Sequence, residues 1–128
     1  MSDKETPLNA VRDLVEAINE GHNSAGLATM TDDVVIIDDI PPFRWAGQDG
    51  AELWLRRLAT TRKRMNASVT LDDADVRVVE ERAYVVAPGV LEGSSEHGSF
   101  EMTGLLSSTL VEREGKWLVD GLVWSNQR

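Results

Sequence analysis

The chain changes its periodicity once, near Met65, and that change restricts the folds open to it. Before Met65 apolar residues recur at helical spacing, with one strand inserted. From Ala67 to Arg113 there is no good helical repeat, and Val, Thr, Leu and Tyr dominate between turn signals. The second half reads as strands near 67–79, 82–92, 97–113 and 116–125. Glu80–Glu81 reads as a turn, Gly93–Gly98 as a longer polar loop and Glu114–Gly115 as a hairpin tip. Helices first and a meander of long strands afterwards indicate an α+β domain with its helices on one face of a sheet. Such a sheet, curled around a long helix, leaves a cone, a natural place for a small-molecule pocket. The 128 residues make one domain, 1–128, long enough to bury a core without staples.

The first half supplies the helices and a single strand. Thr6 is placed as an N-cap with Pro7 in the first helical position. Leu8, Val11, Leu14, Val15 and Ile18 follow at helical spacing, and Gly21 ends the helix. Ser24 can cap a shorter helix through Met30. A third helix runs from about Asp49 to Met65, with Asp49 and Glu52 as an acidic capping box. Its apolar stripe is Leu55, Leu58 and Ala59, with Trp54 to one side. Between the helices, TDDVVIIDDIPPFRWAG runs through a β-branched strand to the pair Asp38–Asp39. Pro41–Pro42 then stop the strand, because proline has no N–H for a ladder, and the aromatics Phe43 and Trp45 follow. A strand that ends in carboxylates and turns under aromatic cover can floor a pocket. The alternative is a solvated acidic turn, since Asp and Pro are ordinary turn residues.

Composition removes several functions. A net charge of −9 argues against nucleic acid, which needs a basic footprint. The one basic cluster, Arg56, Arg57, Arg62, Lys63 and Arg64, reads as the solvated face of the third helix. Without cysteine there is no disulfide, thiolate nucleophile or thiolate metal site. The start, MSDKETPLN, is polar and no apolar run reaches membrane-spanning length, so a soluble cytoplasmic protein without membrane contact is expected. His22 suits the end of the first helix, where a cation helps the dipole, and is too far from His97 to form a metal pattern with it. Asp32–Asp33 and Asp72–Asp73–Asp75 lack the spaced oxygen ligands of a calcium loop. Neither metal nor cofactor is expected.

The order of elements, with VRDLVEAINEGH in the first helix, TMTDDVVIIDD, Gly47 before the third helix and the C-terminal GKWLVDGLVWS, resembles the nuclear-transport-factor-2-like superfamily from Val11 to Trp124. Ketosteroid isomerases, polyketide cyclases and scytalone dehydratase are similar in this way. The resemblance implies a cone of three helices packed on a strongly curved antiparallel or mixed sheet enclosing a pocket. It also places Asp38 where the isomerases carry the aspartate that moves the proton. Those enzymes set a tyrosine and a protonated aspartate opposite that base. The corresponding positions here are Leu14, which has no donor, and Ser107, whose hydroxyl donates more weakly. Steroid isomerisation itself is therefore not expected. The cyclases' C-terminal aspartate is missing as well: Ser125, Asn126 and Gln127 fill that region.

Trp54 and Trp124 match aromatic pocket positions of these relatives, with Trp45 nearby; their other reading is ordinary core. By the two-residue period Leu118, Asp120, Leu122 and Trp124 share a face. If that face looks into the cone, Asp120 is a second interior acid and could partner Asp38. Otherwise it meets solvent or an arginine such as Arg77 or Arg82. His97, in SSEHGS, is either a proton-transfer group near the pocket or an exposed loop tip. The expected function is acid–base chemistry on a small apolar, polyketide-like or steroid-like compound, without cofactor. Asp38 is the base, Asp120 or His97 its partner, and Leu14, Trp45, Trp54, Ser107, Leu122 and Trp124 line the site. The alternative is a ligand-binding or structural dimer module. A homodimer through the sheet is expected either way, because such a sheet leaves an apolar face uncovered.

Overall fold

The computed structural model describes residues 6–127; Met1–Glu5, the start of the polar N-terminal segment, and Arg128 lie outside it. Three helices precede most of the sheet: α1 (Pro7–Glu20), α2 (Asn23–Leu27) and α3 (Gly47–Met65). Strands β1 (Met30–Ile37) and β2 (Arg44–Ala46) fall between α2 and α3. After α3 come β3 (Ser68–Leu71), β4 (Asp75–Val79), β5 (Arg82–Ser95), β6 (Gly98–Arg113) and β7 (Lys116–Gln127).

Local signals set the helix ends. The Thr6 hydroxyl accepts the Asn9 N–H at 3.1 Å, Pro7 opens the first turn, and Gly21 closes α1 in the left-handed region at φ 72°. The buried face of α1 includes Ala10, Val11, Leu14 and Val15. Two expected signals do not operate. Ala46, not Asp49, caps α3, and it does so with no side-chain bond; Asp49 lies within the first turn, where its charge suits the helix dipole. The helix expected up to Met30 stops at Leu27, because Met30 already belongs to β1.

The sheet order is β2-β1-β7-β6-β5-β3, with β4 also on β5. All neighbours are antiparallel except β1 and β7, so the sheet is mixed. The strand expected over 67–79 is broken at Asp72–Ala74 into β3 and β4, which pair with successive parts of β5. The polar loop expected over Gly93–Gly98 is instead a tight turn at Glu96–His97, with Ser95 registered on Gly98. Strand β2 went unforeseen, since proline and aromatics hide its three residues.

The sheet has two unlike faces. Facing the helices, Trp45, Ile36, Leu122, Ser108 and Val85 form one registered row across five strands, all buried. Helices α1 and α3 close over this side, with Leu14, Trp54 and Leu55 completing the core. The opposite face carries exposed Ile37 and Tyr84 with half-buried Val86, Leu105, Val111 and Val123, and no described element packs on it. No helix of the described residues is long and apolar enough to cross a membrane.

Candidate functional site

Asp38 follows directly on β1, and its side chain turns toward α3. The Trp54 indole N–H donates to one carboxylate oxygen at 3.0 Å, and the Asp39 backbone N–H donates to the other at 2.7 Å. Trp54 is only 4% exposed, so this donor is fixed by packing. One turn further along α3, Arg57 donates to the Pro41 carbonyl at 3.2 Å, and its guanidinium carbon lies 5.7 Å from the centre of the Trp45 ring. The turn itself is closed by the Phe43 carbonyl, which accepts the Asp38 N–H at 3.0 Å. Two residues on one helix face therefore hold the whole acidic turn against α3.

This environment raises the proton affinity of Asp38. Partial burial, which disfavours the charged form, is the largest cause. The N–H donors of Trp54 and Asp39 pull the other way, and the neighbouring Asp39 carboxylate pushes up again. Among the described residues no lysine or arginine forms an ion pair with it. The net effect is a carboxyl that holds its proton above the ordinary carboxylate range, the direction wanted in a group that both takes and returns a proton near neutral pH.

Trp124 occupies the same face of the sheet. Ile37 is registered on Val123, so Asp38 and Trp124 are the next positions along two adjacent parallel strands. The indole reaches from β7 over Gly104 on β6 to Gly89 on β5. Its N–H donates to the Asn126 side chain at 2.8 Å, and the Asn126 amide in turn donates to Asp39. Two polar groups missed in the sequence thus join the site: Asp39 as a second acid and Asn126 as the link between Asp39 and Trp124. Trp124 and Asn126 are two apart on one strand, which hints at a shared face. Their contact with Asp39 depends on the β1–β7 pairing.

Several expected site residues stand elsewhere. Asp120 is the extra residue of a β-bulge: Thr109 is registered on Gly121 and Leu110 on Val119, leaving Asp120 unpaired. The inward period of β7 is thereby reset, with Trp117 and Val119 inside before the bulge and Leu122 and Trp124 after it. Asp120 points to the outer face, where Arg82 donates at 2.9 Å and the Thr109 hydroxyl at 2.6 Å. The structure therefore does not bring it to Asp38. His97 sits at the β5–β6 turn with its side chain 86% exposed. Roughly 30 Å of strand path separate it from Leu106, the β6 partner of Trp124. Ser107 also faces outward, half-buried; its neighbour Ser108 turns inward, buried, with a hydroxyl that has no partner among the described residues. Leu14, Trp45 and Leu122 are packed core.

Two open depressions, one between Asn66 and the β5–β6 hairpin and one along α1 and α2, are lined largely by acidic and small residues and do not include Asp38. Among the described residues no group of three or more histidines and carboxylates is gathered as metal ligands would be.

No protein-family model matches the chain, and no curated protein matches it in sequence. Solved structures do match it. A candidate scytalone dehydratase from Novosphingobium aromaticivorans superposes with a TM-score of 0.81 at 17% identity, over 94% of this chain and 81% of that one. A nuclear transport factor 2-like superfamily protein from Salmonella enterica gives 0.77 at 12% identity, over 94% and 87%. The CaMKII hub of S. rosetta gives 0.79 at 14% identity, over 99% and 98%. Identities this low carry the architecture and not the chemistry. With its curled, unclosed mixed sheet and three helices on the inner side, the chain has the nuclear-transport-factor-2-like cone fold.

Proposed function

We propose that the cone mouth holds a small, mostly apolar molecule and that Asp38 moves a proton on it without a cofactor. The observation that carries this reading is Asp38 itself: a half-buried carboxyl with raised proton affinity, gripped by a buried indole and without an ion-pair partner among the described residues. The reaction fits an enolisable ketone. The carboxylate takes a proton from the carbon beside the carbonyl, the C–H electron pair moves into the enolate, and the carboxylic acid returns the proton to the same or a neighbouring carbon. One acid–base group suffices for such an isomerisation. Dehydration and cyclisation need a second proton donor. Asp120 and His97 lie away from the site, and Asp39, the acid that joins it, is engaged as an acceptor of the Asn126 amide. Isomerisation is therefore the best-supported class.

The test is deuterium uptake into β-tetralone in heavy water, followed by proton NMR. Wild type should accelerate exchange over buffer, and Asp38→Asn should lose about a hundredfold or more of that acceleration. Equal exchange with wild type and Asp38→Asn would sink the reading.

The uncovered outer face supports a second reading, of a homodimer through the sheet, with or without chemistry in the cone. The hub-like structural neighbour adds weight to assembly. Sedimentation of wild type and Val123→Lys would decide: a dimer that the substitution turns into a monomer supports it, and a wild-type monomer ends it.

A further inference from the structure

Gly89 and Gly104 face each other directly across β5 and β6, in the middle of the longest strand pair of the sheet. Glycine weakens a strand interior, so two in register call for a packing reason. Trp124 supplies it. A Cβ on Gly104 would stand 2.3 Å from Cζ2 of the indole and 2.6 and 2.7 Å from the ring atoms on either side. One near atom flanked by two slightly and almost equally farther ones is the signature of a point above the face of the ring. An approach from the ring edge would leave the flanking atoms much farther away. The indole therefore lies flat on the sheet. A Cβ on Gly89 would also meet it, at 3.2 Å.

The flat seat decides which part of Trp124 remains free. Trp45, Trp54 and Trp117 are 4–6% exposed, whereas Trp124 is only half-buried. Its lower face is against Gly104, so the exposed area comes from its edge and its opposite face. A flat indole with one face open is a stacking surface for another flat ring. Its six-membered ring, over Gly104 on β6, lies roughly 10 Å from the strand that ends in Asp38, two interstrand spacings away across β7. A fused two-ring compound with a polar group at one end spans that distance.

We propose that Gly104, assisted by Gly89, is a specificity-determining residue: by seating Trp124 flat it makes a shelf that selects planar fused-ring ligands over puckered ones of the same size. The proposal rests on the reading of the cone mouth as a small-molecule site. It does not require that Asp38 catalyse anything.

The experiment is calorimetric titration of the protein with β-naphthol and with its saturated counterpart trans-β-decalol. Wild type should prefer the planar compound by about fivefold or more, the size of an aromatic stacking term. Gly104→Ala should erase most of that preference by tilting the indole, while decalol affinity stays within about twofold. Trp124→Leu keeps an apolar side chain and removes the shelf, so it gives the same loss by a route independent of how Gly104→Ala folds. A preference unchanged in both variants would overturn the proposal, as would the absence of naphthol binding to wild type. In Asp38→Asn the preference should persist. Failed deuterium exchange together with an intact planar preference would therefore count against proton transfer alone.

Discussion

The two faces of the sheet each hold one half-buried aspartate, and they treat it in opposite ways. On the outer face Asp120 receives a guanidinium from Arg82 and a hydroxyl from Thr109. Its charge is compensated, and the arrangement suits a structural ion pair. On the inner face, among the described residues, Asp38 receives only neutral N–H groups, and the charge that adjoins it is another acid, Asp39. Burial is similar, but the surroundings differ in sign. A carboxylate becomes a candidate for chemistry where burial goes without a counter-charge, because only then does its proton affinity move toward neutral pH.

The largest effect that should separate the faces comes from adjacent residues of β7. Leu122 points inward and is 2% exposed, whereas Val123 points outward and is half-buried. Leu122→Ala should cost about 2–5 kcal/mol in urea unfolding, through lost transfer energy and the cavity left behind. Val123→Ala in dilute protein should cost about 1 kcal/mol or less. A second copy docked on the outer face would make the Val123→Ala cost grow with protein concentration, since only then is that side chain fully withdrawn from water. Equal and concentration-independent costs at the two positions would break the distinction between the faces.

A smaller effect tests the ion pair. Arg82 is 46% and Asp120 22% exposed at the side chain, so solvent screens their attraction. A double-mutant cycle through Arg82→Ala and Asp120→Asn should give a coupling of about 0.5–1 kcal/mol, weakening as salt is added. Coupling near zero would mean that the Thr109 hydroxyl alone satisfies Asp120. The outer site would then be no better compensated than the inner one.

What could be read in the chain beforehand divides along a physical line. Signals confined to a few neighbouring residues were legible: the Thr6–Pro7 helix start, the left-handed stop at Gly21 and the end of β1 just before Asp38. Facing in the long strands was legible only where no second strand intervened. Counting in twos puts Asp120 on the face of Leu122 and Trp124 and leaves open whether it enters the cone or meets an arginine such as Arg82. The bulge that turns it outward to Arg82 is a relation between β6 and β7. The same parity places Ser108 inside and Ser107 outside, a one-residue difference that flips the face. Asn126 could be named as a departure from a related pattern, yet its bond to Asp39 needs the parallel β1–β7 pairing. The glycine seat under Trp124 joins three strands, and no stretch of a single strand announces it.

The smallest effect, and the sharpest test of the inner site, is the pH dependence of stability in Asp38→Asn. The folded state raises the proton affinity of Asp38, so it favours the protonated acid more than the unfolded chain does. Below the ordinary carboxylate range the acid is protonated in both states, and Asp38 makes its full contribution to stability. As pH rises from that range through the raised folded value, the unfolded chain ionises first and the contribution is lost. Asparagine keeps a neutral amide whose oxygen can still accept the Trp54 N–H. The gain in melting temperature of Asp38→Asn over wild type should therefore be near zero in acid and grow toward neutral pH, levelling off above the raised value. The matching substitution Asp120→Asn should do the reverse at neutral pH: it removes the charge that Arg82 faces and lowers stability. If Asp38→Asn were destabilising at neutral pH and neutral in acid, Asp38 would behave as a compensated structural carboxylate. The cone mouth would then lose its claim to a proton-moving group.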